Sequence, residues 1–250
     1  MYTLTAADFA DTGQWRLLLK IENKGLEAFL ENTLHPEIPA QHLCSVKWDI
    51  NKDMLRKNIE DAVYSNPRLL DDFATRVVLY DPRTLFIPTE LAEEKPGAEE
   101  EIYQKVYIAE PSDIMTDSDR DITAAWSMAP GLKSFLLRTF PGARITSNLM
   151  DKVREKRKDN EGPCLYVFAR EGETDIIFLE GDALISAATH EWGHTDDIAY
   201  LVLNLLDIYD YKLKDIKFEV EKVSTQTDAW KYIVSNARDF NNKNLENEDN

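Results

Sequence analysis

Two stretches of this chain, 15–80 and 163–220, pass through the same succession of periodicities. Each alternates, turns, alternates again, turns, makes a third apolar strand, continues as a helix and returns as a short strand. In the first, Trp15, Leu17, Leu19 and Ile21 point one way and Arg16, Lys20 and Glu22 the other, the period of a half-buried strand. Asn23-Lys24-Gly25 is turn chemistry with a glycine free to take positive φ. Leu26 to Thr33 closes the hairpin, and Cys44, Val46 and Trp48 alternate in a third strand. Asn51 or Asp53 can cap the helix that follows, whose buried stripe is Leu55, Ile59, Ala62 and Val63. Asn66-Pro67 stops it. Thr75 to Tyr80 returns as a strand, and Leu85 to Ile87 adds a short one closed by Pro88.

In the second stretch, strands are expected over 165–169, 175–179 and 183–189, separated by Glu171-Gly172-Glu173 and Glu180-Gly181-Asp182 turns. A helix capped by Thr195 or Asp196 buries Ile198, Leu201, Val202, Leu205 and Ile208. Ile216, Phe218 and Val220 make the next strand. The fold class is α/β, with duplicated βββαβ units and helices packed on sheet faces. The middle, 90–160, is less regular: helices are expected over 98–107, around Leu132, Phe135 and Leu136 with Pro130 in the first turn, and over 149–158. The first half is taken as 1–107, the second as 108–240, and 241–250 as a disordered polar tail with no apolar residue after Leu245.

The net charge of −17 repels phosphate backbones and anionic lipid, so nucleic-acid and membrane-surface binding are not expected. Lys152, Arg154, Lys156, Arg157 and Lys158 run against this balance; they read as a solvated helix end, with a docking patch for an acidic partner as the alternative. No apolar run is long enough to span a bilayer, and no secretory pattern opens the chain. Cys44 and Cys164 stand apart, outside any Cys-x-x-Cys, and read as reduced, buried thiols of a cytoplasmic protein.

Three segments carry a resemblance: Arg76-Val77-Val78-Leu79-Tyr80 through Phe86-Ile87-Pro88, Phe135 to Pro141, and the helix opening Thr195-Asp196-Asp197-Ile198. With the order of segments over 15–223, they resemble the domain-of-unknown-function family 3822 of Bacteroidetes-type bacteria. The twice-used plan resembles the two-lobed, ribonuclease-H-like, actin-like ATPase fold, whose members include pilus-assembly ATPases. That resemblance implies a fold rather than an activity.

It also implies a test. Actin-like ATPases hold Mg-ATP between two domains, each offering a glycine-rich hairpin turn to phosphate, with an Asp nearby for the metal. The candidate nucleotide-binding residues are Glu22, Asn23 and Gly25 in the first turn and Arg170 and Gly172 in the second. Each turn has one glycine. Ala169 or Arg170 stands where the second Asp is expected, Glu171 and Glu173 oppose phosphate, and no Gly-Gly pair follows the strand ending at Val220. The expectation is the fold without normal ATP hydrolysis: a pseudo-ATPase with no assigned catalytic residue and no required cofactor. It would act through protein partners. A nucleotide-binding actin-like ATPase or switch is the alternative.

His190-Glu191-Trp192-Gly193-His194 matches His-Glu-x-x-His. In zinc peptidases this motif works because both histidines share one helix face and the Glu serves as base; Glu219 or Glu221 would be the third ligand. A helix through the motif would interrupt its own apolar stripe with polar residues. A strand ending near His190, a turn at Gly193 and a new cap use every local signal instead. That assignment leaves His190 and His194 without helical spacing and Glu219 and Glu221 on the wet face of a strand. A zinc peptidase is therefore the third reading. His35 and His42 are expected on the surface.

Overall fold

The computed structural model describes residues 12–49 and 54–243. The chain separates into two compact units, Met1–Asp151 and Lys152–Asn250.

The first unit opens with β1 (Trp15–Glu22), β2 (Gly25–Asn32) and β3 (Gln41–Lys47), an antiparallel meander. Helix α1 (Leu55–Tyr64) follows and buries the expected Leu55, Ile59, Ala62 and Val63; the proposed caps, Asn51 and Asp53, lie outside the described residues. Strand β4 (Thr75–Tyr80) then pairs parallel with β1. A parallel neighbour needs a crossover, which α1 supplies.

Several elements of the first unit do not follow from periodicity. After β5 (Thr84–Pro88), α2 (Thr89–Glu93) and α3 (Ala98–Val106), a hairpin of β6 (Ile114–Asp119) and β7 (Ile122–Ser127) folds back, and β7 pairs antiparallel with β5. Tyr103 of α3 is buried against Ile87, Ile114 and Ala125. Its hydroxyl donates to the Arg83 carbonyl at 3.0 Å and accepts from the Ser127 N–H at 3.2 Å. Next, α4 (Leu132–Thr139) buries Leu132, Phe135 and Leu136 as expected; it begins after Gly131, at φ 73°, so Pro130 lies outside it. Strand β8 (Arg144–Ser147) then adds to β4 in parallel. The segment 108–147 therefore belongs with the first half, and the division falls at 151 rather than 107, because β7 pairs with β5 and β8 with β4.

Helix α5 (Asn148–Arg157) leads into the second unit. There β9 (Pro163–Arg170), β10 (Glu173–Glu180) and β11 (Ala183–Glu191) form a second meander. Helix α6 (Thr195–Ile208) crosses to β12 (Lys217–Glu221), and α7 (Asp228–Asn236) crosses to β13 (Asp239–Asn242). The two sheets have one strand order, β3-β2-β1-β4-β8 and β11-β10-β9-β12-β13. The repeat read from the periodicities is thus real and one helix and strand longer in each half.

The expected disordered tail begins too early. Asn241 and Asn242 lie in β13, opposite Glu219 and Val220 of β12, and only 244–250 fall outside the described residues. The buried side of α6 is also rotated from the expected stripe: Ile198, Ala199, Val202 and Leu206 are buried, while Ile208 is 65% exposed. The helix is apolar on most of its circumference, so periodicity alone does not orient it. Cys164 is buried, but Cys44, on the edge strand β3, is only partly so.

The second unit's core lies between its sheet and α6 and α7, where Leu165, Val167, Phe178, Phe218, Val202 and Trp230 pack together. Phe218→Ala leaves a cavity here and should cost about 3–5 kcal/mol, measured as a lower urea midpoint at unchanged slope.

Candidate functional site

In both units the central strand runs into a two-residue hairpin turn. Glu22 pairs with Gly25 around Asn23-Lys24, and Arg170 pairs with Glu173 around Glu171-Gly172. All the turn residues are exposed. Gly25 does not take the positive φ expected of it. Its constraint is close approach: a Cβ there would lie 2.7 Å from the Val46 carbonyl oxygen of β3. Gly172 does take the left-handed conformation, at φ 77°.

Each turn is held from the side by a tryptophan one residue past the third strand. The Trp48 backbone N–H donates to the Lys24 carbonyl at 3.0 Å, and its indole Nε1–H to the Asn23 carbonyl at 3.0 Å. In the second unit the Trp192 N–H donates to the Gly172 carbonyl at 3.0 Å and its Nε1–H to the Arg170 carbonyl at 3.1 Å. A partly buried indole needs an acceptor for its N–H, and here the turn carbonyls supply it. The backbone bonds are at equivalent positions; the indole bonds differ by one residue.

Behind the second turn, Asp175 of β10 is fully buried. Its carboxylate accepts from Lys152 Nζ at 2.7 Å, Arg170 at 2.8 Å and Thr189 Oγ1 at 2.6 Å. Burial pushes its pKa up, but Lys152, Arg170 and the hydrogen bonds outweigh that, and the group is held below the ordinary 3.8. A buried carboxylate flanked by two cations satisfies its charge internally. Arg170, a candidate phosphate ligand, is thereby committed to Asp175 and to Glu173 at 3.3 Å.

Lysines of α5 extend this polar layer across the sheet face. Lys152 lies 4.7 Å from the Phe168 ring centroid, and Lys156 lies 5.2 Å from that of Tyr166. Lys156 also approaches Glu219 at 3.6 Å, with Lys217 at 3.0 Å and Lys243 at 3.6 Å from the same carboxylate. Glu219 is only 17% exposed, so it is not on a wet face as expected; burial raises its pKa, the lysines lower it more, and the net is downward. The basic run is likewise no solvated helix end. Arg157 is buried, and Lys152 and Lys156 turn onto the sheet.

His190 sits on β11, and burial lowers its pKa despite the nearby Asp175 charge. His194 is the N-cap of α6: its Nδ1 accepts from the Asp196 N–H at 3.3 Å, while Asp197 accepts from the Gly193 and His194 N–H groups at 2.9 and 2.8 Å. The two histidines therefore lie on a strand and a helix cap, not one helix turn apart. The cap itself is His194 rather than Thr195 or Asp196. Among the described residues no group of three His, Cys, Asp or Glu side chains is placed to hold a metal.

After β12, where a Gly-Gly pair would be expected, Lys222 takes φ 59°. Thr195 Oγ1 then donates to the Ser224 carbonyl at 2.9 Å, and Trp230 Nε1–H to the Thr195 carbonyl at 2.9 Å. These bonds tie the loop to the start of α6.

Residues 5–228 match the model of a family described as "Protein of unknown function (DUF3822)". The chain belongs to that family. A protein of unknown function and actin-like ATPase fold from Bacteroides thetaiotaomicron aligns at TM-score 0.78 and 16% identity, over 94% of this chain and 93% of that one. The PilM–PilN type IV pilus biogenesis complex aligns at TM-score 0.49 and 10% identity, over 91% of this chain and 87% of that one. Ethanolamine utilization protein EutJ from Carboxydothermus hydrogenoformans aligns at 0.48 and 8%, over 91% and 84%. No curated protein sequence matches the chain. The DUF3822 chain thus has the actin-like ATPase fold.

The roles that the sequence alone does not assign are those of Trp48, Trp192, Lys152, Asp175 and Thr189. Trp48 and Trp192 carried a usable signal, since each immediately follows the third strand of its meander. The Asp175 cluster carried none: its members come from α5, β9, β10 and β11.

Two measurements test this geometry. Trp192→Phe removes one partly buried hydrogen bond and should cost about 0.5–1.5 kcal/mol, with faster amide exchange in the 170–173 turn. Asp175→Asn strands two cations and should cost about 3–5 kcal/mol near neutral pH. Because the folded-state pKa of Asp175 is depressed, its contribution is complete above the ordinary 3.8 and is lost as pH falls through the lower folded value. The variant's stability deficit should therefore shrink on acidification below pH 3.8, by denaturant titration across that range.

Proposed function

We propose that this DUF3822 protein is a non-catalytic binding or scaffold protein of the cytoplasm, built on an actin-like fold whose phosphate turns have been closed on themselves. One observation carries the reading: the carboxylate and guanidinium beside the second turn, Asp175 and Arg170, neutralise each other in the interior. A phosphate would have to draw Arg170 away from that carboxylate and approach Glu171 and Glu173. In the first turn, Glu22 stands at the strand end and the carbonyls of Asn23 and Lys24 are tied to Trp48. Turns that cradle phosphate instead aim several N–H groups at it from a glycine-rich backbone.

A nucleotide-regulated switch is the second reading, favoured by Gly172, which takes the left-handed conformation and puts no side chain into the turn near Arg170. Thermal unfolding with and without millimolar Mg-ATP separates the two. A ligand at about 100 times its Kd adds about 2.7 kcal/mol, a shift of a few degrees. The scaffold reading expects no shift. A clear shift that disappears in Glu22→Ala would establish the switch.

A further inference from the structure

An edge strand leaves one row of backbone N–H and C=O groups without a sheet neighbour, and folded proteins blunt such edges with charge, proline, shortness or a bulge. Among the described residues, five of the six sheet edges are managed in that way. β8 and β13 have four residues each. β5 ends in Pro88, and β6 carries Asp117 and Asp119. β3 has a register shift and ends in Lys47.

β11 is different. It is the outer strand of its sheet, nine residues long. From Leu184 to His190 it holds no Lys, Arg, Asp, Glu or Pro, and every side chain in that run is partly exposed. Its register shift falls early, opposite Phe178 and Leu179, so Ser186 to Glu191 runs regularly along β10. Beyond that ladder, no backbone hydrogen bond to another described residue involves Leu184–His190.

Charge identifies what fits. The middle of the edge is uncharged, but both ends are acidic. Glu180 and Asp182 flank its start, and Glu173, which also pairs with Arg170, stands directly opposite Glu191 at its finish. The whole chain carries −17, which disfavours a second copy placing the same acids against these. We propose that the free edge of β11 takes up a β-strand from a protein partner, a segment of roughly six uncharged residues, the usual strand length, flanked at both ends by Lys or Arg. Main-chain bonds supply the affinity in strand addition, and side chains and end charges the selectivity. This deepens the scaffold reading and rests on it, naming the surface and the chemistry of the partner.

The test is selection of a displayed random decapeptide library on the full chain, followed by synthesis of the enriched peptide. The expected consensus has an uncharged middle and basic ends. Its binding should slow amide exchange within Ser186–His190. N-methylation of alternate residues should abolish binding when it blocks one edge of the peptide and spare it when it blocks the other. Ser186→Lys should weaken binding at least tenfold while leaving the unfolding temperature within a few degrees; if that variant fails to fold, the N-methylated peptides decide alone. The proposal is overturned by an unenriched library, acidic or absent flanks, protection in another segment, equal binding of both N-methylated forms, or a β11-dependent dimer in sedimentation. Mg-ATP stabilisation measured alongside keeps the two readings apart. Stabilisation with peptide binding intact removes the scaffold reading and leaves the edge. No stabilisation and no peptide removes the edge and leaves the scaffold.

Discussion

Each five-stranded sheet of this protein is built outward from one central strand, β1 or β9, which must satisfy hydrogen bonds on both sides. On one side the partner is the antiparallel neighbour of a tight hairpin; on the other it is a parallel strand reached only by a crossing helix. That double demand generates the order third, second, first, fourth, fifth in both sheets. It also places the end of the central strand, Glu22 or Arg170, at a two-residue hairpin turn. The two central strands differ in cover. β1 buries one face and keeps Arg16 and Glu22 outward, whereas β9 is buried on most of both, with α5 lysines over its second face. One therefore reads as clean alternation and the other as a nearly continuous apolar run.

The two hairpin turns share one backbone arrangement and differ in the chemistry around them. A tryptophan after each third strand reaches back to the turn carbonyls, so both turns are fixed without a ligand. In the second unit the nearby acid is buried and matched by Lys152 and Arg170. A buried ion pair of this kind adds little net stability over an apolar core but is costly to break, so it specifies one arrangement of β9, β10, β11 and α5. The same reasoning explains why the basic run of α5, which looks solvated in the sequence, faces inward. The acids it meets, Asp175 and Glu219, lie 23 and 63 residues further along.

Much of the fold is legible in the order of residues alone. The strands beginning at Trp15 and Thr75, the buried stripe of α1 and the core residues of α4 and β12 follow from periodicity. The elements that are not legible are short or polar. β6 reads Ile-Met-Thr-Asp-Ser-Asp and β13 Asp-Phe-Asn-Asn, and both become strands because a neighbour offers a ladder. The candidate site is half legible. Its turns are marked by Asn23 and Gly172, and the tryptophans by their place after each third strand, but the carbonyls those indoles bond are not, because a strand pattern assigns a side chain to a face without naming its acceptor.

By itself the sequence determined the class of the fold, its duplication and the place of its two hairpin turns, because these depend on local periodicity and turn residues. Tertiary structure alone decided where the repeat divides, which face of α6 is buried, and that Asp175, Lys152, Arg170 and Thr189 meet. The physical reason is range. Backbone preference acts over a few residues, whereas burying a charge requires partners that only the assembled sheet and helix bring within hydrogen-bond distance.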